Sequence, residues 1–314
     1  MDNLIFTGAK VRAFHPAFRS VLLTLTIASS ALVAQVPGDD ELIKQIRSAL
    51  GKNDGFFALA FKDAASGREI LINEREPFHA ASTMKMPVMI EVFKQVNEKR
   101  LSLTDSIVIK NEFTSIVDGS PYSLSRSDDS EQGLYELIGQ KRPLSSVMHQ
   151  MIIASSNLAT NIIIDLVGAQ NVTQTIRELG ARDMVVLRGV EDSKAFAKGL
   201  NNTITAYDLM ILFDKMAKGE IINPFASEQM IAILRDQKYN EIIPALLPAG
   251  VSVAHKTGWI TGVQHDAGIV ILPKGARYTL VLLSKKLTNE KAAVNSMAQV
   301  SRMIYDYVNR STDR

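Results

Sequence analysis

Ala80-Ala81-Ser82-Thr83-Met84-Lys85-Met86-Pro87 opens an apolar run, Val88, Met89, Val92, Phe93 and Val96, whose spacing is helical. Residues three apart share a helix face, so the spacing predicts that Ser82 and Lys85 meet at a helix N-terminus. Unpaired backbone N–H groups and the helix dipole favour developing negative charge there. Pro87 requires the helix to begin close to Ser82, because a proline deeper inside would break it. A serine hydroxyl is a weak nucleophile near neutral pH, and an adjacent amine can take its proton. A lone Ser-x-x-Lys arises often by chance and is more commonly a solvated helix start. The rest of the chain has to decide between the two.

Working outward, residues 39–50 form an amphipathic helix stopped by Gly51. Residues 56–61 and 69–72 read as two strands of a hairpin around Ala65-Ser66-Gly67. From about 100 to 220 the pattern is mostly helical: 143–153, 158–167 closed by Gly168, a segment capped by Asn171, and one beginning at Thr205. The polar stretch 120–132 reads as an exposed connection. Strand patterns return at 251–256, 267–272 and 278–284, and 290–307 is a closing amphipathic helix. The expected fold is α/β (α+β), with one antiparallel sheet built from both chain ends, flanked by helices and interrupted by an inserted all-helical subdomain. Within a single domain, 35–314, the α/β part is expected over 39–98 plus 220–312 and the helical part over 99–219. A site would lie in the cleft between them.

The 314 residues are 46% hydrophobic and 22% charged, enough for a large core. Net charge is +2, with Lys and Arg scattered rather than striped, which argues against a nucleic-acid partner. Lys10, Arg12 and Arg19 precede an apolar run, 21–33, ending in small residues. That pattern is a cleaved signal peptide, 1–34, and places the mature protein in the periplasm or outside the cell, off the membrane. The other reading is a membrane anchor, for which the run is short. The absence of cysteine excludes disulfides, thiolate metal sites and a cysteine nucleophile. The five histidines are dispersed, with no His-Glu-x-x-His, so neither metal nor cofactor is expected.

Three further stretches bear on Ser82. Ser155-Ser156-Asn157 lies at a helix junction, where a proton-shuttling hydroxyl and an amide would be useful, although Ser and Asn are also ordinary N-caps. His255-Lys256-Thr257-Gly258-Trp259 ends a strand; a lysine, a hydroxyl and a glycine there could hold a carboxylate, or simply turn into a hairpin. Leu187-Arg188-Gly189-Val190-Glu191-Asp192 is a loop whose glutamate would ordinarily be solvated.

Each is ambiguous singly, but Ser-x-x-Lys, Ser-x-Asn and Lys-Thr-Gly in that order form the motif set of penicillin-recognising serine hydrolases. Over nearly the whole mature chain the sequence resembles that superfamily, and class A β-lactamases most closely. The resemblance implies Ser82 as the acylated nucleophile, Lys85 as its proton partner and Ser155 as the relay to the leaving β-lactam nitrogen. It implies Asn157 as a contact to the substrate amide, and Lys256 and Thr257 as contacts to the substrate carboxylate. Gly258 keeps the strand backbone open, and the N–H groups of Ser82 and Trp259 would form the oxyanion hole. Glu191 would activate the deacylating water.

The sequence also departs from the family. Asp192-Ser193-Lys194-Ala195 follows Glu191 where the family has a proline and then a leucine–asparagine pair, and Leu200-Asn201 comes too late to replace that pair. Ser156 replaces the usual aspartate of Ser-Asp-Asn, and Trp259 replaces a small residue. No arginine follows Gly262 on the next strand, where His265 and Asp266 stand instead. The leading expectation is an exported, monomeric serine β-lactamase acting on small β-lactams. The alternatives are a penicillin-binding D-alanyl-D-alanine carboxypeptidase or related serine esterase, and a catalytically silent binder of the same ligands.

Overall fold

The computed structural model describes residues 38–312, so the expected signal segment lies outside the described residues. In chain order come α1 (Asp39–Leu50), β1 (Phe56–Asp63), β2 (Glu69–Ile72), β3 (Phe78–His79), a 3-10 turn (Ala81–Met84) and α2 (Lys85–Asn97). There follow β4 (Ser106–Val108), β5 (Phe113–Thr114), β6 (Pro121–Tyr122), β7 (Lys141–Pro143), α3 (Leu144–Ile153), α4 (Asn157–Val167), α5 (Ala169–Glu178) and α6 (Ser193–Ala197). The chain closes with β8 (Thr203–Ile204), α7 (Ala206–Ala217), α8 (Pro224–Arg235), β9 (Ser252–Ile260), β10 (Val263–Ile271), β11 (Arg277–Lys285) and α9 (Glu290–Thr312).

Both chain ends build one antiparallel sheet, in the order β2-β1-β11-β10-β9. Period-two alternation along β1 explains its two faces. Phe57, Leu59 and Phe61 join Leu280, Leu282, Leu42 and Ile46 of α1, and Met297 and Ile304 of α9 in one core. Ala58 and Ala60 face the other way, with Ala254, Ala267, Val281 and Leu283, against the helical side. Small residues on that face let helices approach the sheet closely, and α7 packs directly on β1, β10 and β11. Residues 99–219, read as the helical insert, include α7, whose Leu209, Leu212, Phe213 and Met216 are buried and which packs on the sheet.

The α2 helix threads the middle of the molecule, with Met86, Val88, Met89, Ile90 and Val92 all fully buried. Pro87 sits in its first turn, where no intrahelical N–H bond is needed. The polar segment is not a plain connection: β4 pairs with β7, and β5 pairs with β6. Two- and three-residue strands carry no periodic signal, so the sequence could not show them.

Candidate active site

Ser82 lies in the 3-10 turn at the wall of a 580 Å³ cavity, which Asn157, Glu191 and Trp259 also line. Lys85, the first residue of α2, is fully buried. Its Nζ donates to Ser155 O (2.6 Å), Asn157 Oδ1 (2.8 Å) and Ser155 Oγ (3.3 Å). Among the described residues its hydrogen bonds therefore run to the α3–α4 turn, whereas helix spacing alone had suggested Ser82. Burial lowers the Lys85 pKa to about 7, against the opposing charges of Asp129 and Glu191. At neutral pH much of the amine is then unprotonated and able to accept a proton.

Ser155 adopts φ +57°, a left-handed conformation uncommon outside glycine. This sharp turn between α3 and α4 aims its hydroxyl at two lysines, because Lys256 Nζ also donates to Ser155 Oγ (3.1 Å) and to Thr257 O (2.9 Å). Lys256 is fully buried too; burial first, and then the charge of Lys85, pushes its pKa well down.

The turn is tied to the loop bearing Glu191 through one amide: Asn157 accepts from Lys85 on Oδ1 and donates to Glu191 Oε1 from Nδ2 (2.7 Å). Glu191 has φ +62° and sits at the cavity rim. Desolvation raises its pKa above the ordinary carboxyl value, and the Asn157 bond opposes this.

The loop around Glu191 is built rather than merely solvated. Asn161, one helical turn after Asn157 on α4, accepts from Val190 N (2.6 Å) and donates to Val190 O (3.0 Å). A Cβ on Gly189 would fall 2.4 Å from Asn161 Oδ1, so only glycine lets the loop lie this close. Asp192 caps α6 and accepts from Ser115 Oγ and Ile116 N of the β5–β6 segment. Arg188 donates to Leu200 O and Asn201 Oδ1, closing the loop at its base. Asn201 Oδ1 is thereby engaged with Arg188, and Asn201 is not among the residues that line the cavity.

Edge strand β9 completes the site. A Cβ on Gly258 would lie 2.8 Å from Ser82 N and 2.9 Å from Thr83 N, both backbone atoms of the nucleophile turn. Gly258→Ala is expected to lower stability by about 1–3 kcal/mol, as overpacking does, and to slow reaction at Ser82. Denaturant midpoints and labelling rates check this; unchanged values would show that β9 can retreat from the turn. Thr257 Oγ1 is buried without a hydrogen-bond partner, and Thr257 lines a second cavity of 460 Å³ that shares Trp259 with the first. Trp259 is 40% exposed, and its ring packs edge-on to Tyr239 with centroids 4.8 Å apart, so it lines both cavities instead of filling the first.

His265 and Asp266, which stand on β10 after Gly262, are both buried in structural bonds. Asp266 accepts from His255 Nδ1 (2.8 Å) and Ile243 N (3.0 Å). His265 Nε2 donates to His79 O (3.0 Å), and burial lowers its pKa to about 4, so it is neutral.

The structure thus brings Lys85, Ser155, Asn157, Glu191 and Lys256 into one hydrogen-bonded network, with Ser82 on the shared cavity wall. Sequence reasoning missed Asn161 and Asp129. The first had a signal, four residues after Asn157 on one helix face; the second had none.

A split antiparallel sheet with a helical insert, and a Ser-x-x-Lys turn whose serine faces the cavity while its lysine is buried, defines a serine β-lactamase/transpeptidase-type fold. The description of the beta-lactamase enzyme family matches residues 41–308, and the chain belongs to that family. Among curated relatives, the extended-spectrum beta-lactamase PER-1 of Pseudomonas aeruginosa is 24% identical over 302 residues, covering 92% of this chain and 93% of PER-1. Among solved structures, PBP-A superposes with TM-score 0.73 at 30% identity, covering 86% of this chain and 96% of PBP-A. A mutant of PBP-A is described as an acyl-enzyme complex with penicillin G. A beta lactamase from Xanthomonas campestris pv. campestris matches with TM-score 0.76 at 22% identity, covering 87% of this chain and 100% of the other, which speaks for the fold.

Proposed function

We propose that the protein is an exported serine β-lactamase that opens the β-lactam amide through a Ser82 acyl-enzyme and clears it with Glu191-activated water. The observation that carries this reading is the continuous network from Lys256 through Ser155 and Lys85 to Asn157 and Glu191, opening on the cavity of Ser82.

Lys85, partly neutral near pH 7, takes the Ser82 proton as Oγ attacks the lactam carbonyl. The backbone N–H groups of Ser82 and Trp259 hold the oxyanion, a contribution of about 10²–10³ in rate per donor. The proton passes through Ser155 to the lactam nitrogen as the C–N bond breaks. Lys256 and the free hydroxyl of Thr257 bind the substrate carboxylate. Glu191 then removes a proton from water as that water attacks the ester, and Ser82 leaves with the proton returned to it.

A second reading, a penicillin-binding carboxypeptidase or esterase, is favoured by the loop after Glu191: Asn202, its asparagine on the cavity, is bonded through both Oδ1 and Nδ2 to the backbone of Leu187 and Arg188, and Asn201 Oδ1 accepts from Arg188. The 30% identity to PBP-A points the same way. Chromogenic cephalosporin and benzylpenicillin turnover, followed together with intact mass, decides. Multiple turnover supports the β-lactamase; a persistent adduct on Ser82 supports the second reading; reversible binding without an adduct removes both.

A further inference from the structure

The Ser155-Ser156-Asn157 turn is held by a residue far from it in sequence. Asp129, in the polar segment between β6 and β7, is 4% exposed. One carboxylate oxygen accepts from Asn157 N (3.0 Å). The other accepts from Leu158 N (2.9 Å), Asn157 N (3.0 Å), Tyr135 Oη (3.1 Å) and Ser156 Oγ (3.4 Å). The neighbouring Ser130 Oγ donates to Ala154 O (2.7 Å) and Ser155 O (3.2 Å), the second being the carbonyl that also receives Lys85 Nζ. Asp129 and Ser130 therefore grip both sides of a turn whose Ser155 is held in a left-handed conformation. Such a conformation persists only where its surroundings over-determine it. Ser156, within the turn, caps α4 by accepting from Ala159 N and has no charge with which to do this work itself.

We propose that Asp129 is the positioning residue of the proton-transfer turn: a carboxylate supplied from the polar segment holds Ser155 and Asn157 in register with Lys85 and Glu191. It touches no reacting atom. This rests on the reading of Ser82, Lys85 and Ser155 as reactive groups, and it gives the polar segment a task beyond linking two strands. A displacement of about 1 Å in such a group can cost roughly 10² in rate.

The test uses Asp129→Asn, Ser156→Asp and the double variant, with melting midpoints measured beside two labelling rates at Ser82. One reagent is benzylpenicillin; the other is a fluorophosphonate, which reports an activated serine whatever the natural substrate. In Asp129→Asn the amide oxygen can serve only one of the two acceptor positions, so the amide N–H faces the N–H of Asn157 and of Glu131, which also donates to Asp129 (3.1 Å), and the grip loses its charge and one acceptor while the side chain keeps its size. The expected result is a fall of about 10² in both rates, corrected for folded fraction. Ser156 Oγ lies 3.4 Å from Asp129 and already caps the same helix through Ala159 N, so a carboxylate at this N-cap is placed to accept from Leu158 N and Ala159 N. The double variant should recover to within about tenfold of wild type. Ser156→Asp alone, with two carboxylates crowded together, should be slower than the double variant. A wild-type labelling rate in folded Asp129→Asn would overturn the proposal. So would a double variant that regains the midpoint without the rate. Fluorophosphonate labelling that depends on Asp129 in a protein inert to penicillin would sink the β-lactam reading and leave this one standing. A serine that neither reagent labels removes both.

Discussion

Lys85→Ala is expected to slow acylation of Ser82 by about 10²–10⁴, the usual worth of a positioned general base. Lys85→Arg should be nearly as slow, because a guanidinium keeps its proton at any working pH and cannot accept another. The wild-type acylation rate should rise as pH climbs through about 7, where the buried amine loses its proton, and then level off. The variants should lack that limb. An Arg variant acylating at the wild-type rate would mean that the lysine acts by charge alone. Folding should carry the same signature. The folded-state pKa of about 7 lies below the ordinary 10.5, so between those values the unfolded chain holds a proton that the folded chain has released. Stability therefore rises with pH across that window, and the cost of burying the ammonium is felt in full below it. Urea midpoints at pH 6 and 9 should increase more for wild type than for Lys85→Met. Lys256 tends in the same direction but is also pushed down by the charge of Lys85, so the difference reports Lys85 together with its effect on Lys256.

The reading from sequence succeeded where chemistry is local. Ser82 and Lys85 fall within four residues, and Lys256, Thr257 and Gly258 are consecutive, so their order along the chain was visible without a fold. The apolar cores of the long strands were equally visible in β1 and β11, whereas the reading reached only residues 252–256 of β9 and 267–271 of β10, because Lys256-Thr257-Gly258 and Gln264-His265-Asp266 break the apolar pattern. What stayed hidden depends on contacts far apart in sequence. Asp129 meets Asn157 from 28 positions away, inside a stretch of Ser and Asp residues whose composition reads as solvent-exposed. The Lys85 side chain follows a different direction from its helix spacing, because the sharp α3–α4 turn brings Ser155 O, Asn157 Oδ1 and Ser155 Oγ within reach of its buried Nζ. The bulk of Trp259 was legible, but its resting place against Tyr239 was not.

Glu191→Gln should separate the two halves of the reaction. Acylation runs through Lys85 and Ser155, whose hydrogen bonds do not include Glu191, and should change by less than about tenfold. Deacylation should fall by about 10²–10⁴, leaving a penicilloyl adduct on Ser82 that intact mass detects. The case for a working base rests on how firmly the carboxylate is placed. Asn161 clamps Val190 at both its N–H and its C=O, and Asp192 anchors the following residue to the β5–β6 segment. Between those fixed points Glu191 takes its left-handed turn and presents Oε1 to Asn157. The side chain thus has little freedom to lose in the transition state, which offsets the missing loop asparagine. Because desolvation raises its pKa, deacylation should fail as pH drops through a value above the ordinary carboxyl range, while acylation fails near 7 for the separate reason of Lys85 protonation. Burst kinetics at pH 5 and 8 resolve the two limbs. A wild type that forms the adduct but never clears it, matched by an identical Gln variant, would assign Glu191 to holding Asn157 alone and make the protein a penicillin target instead of a penicillin hydrolase.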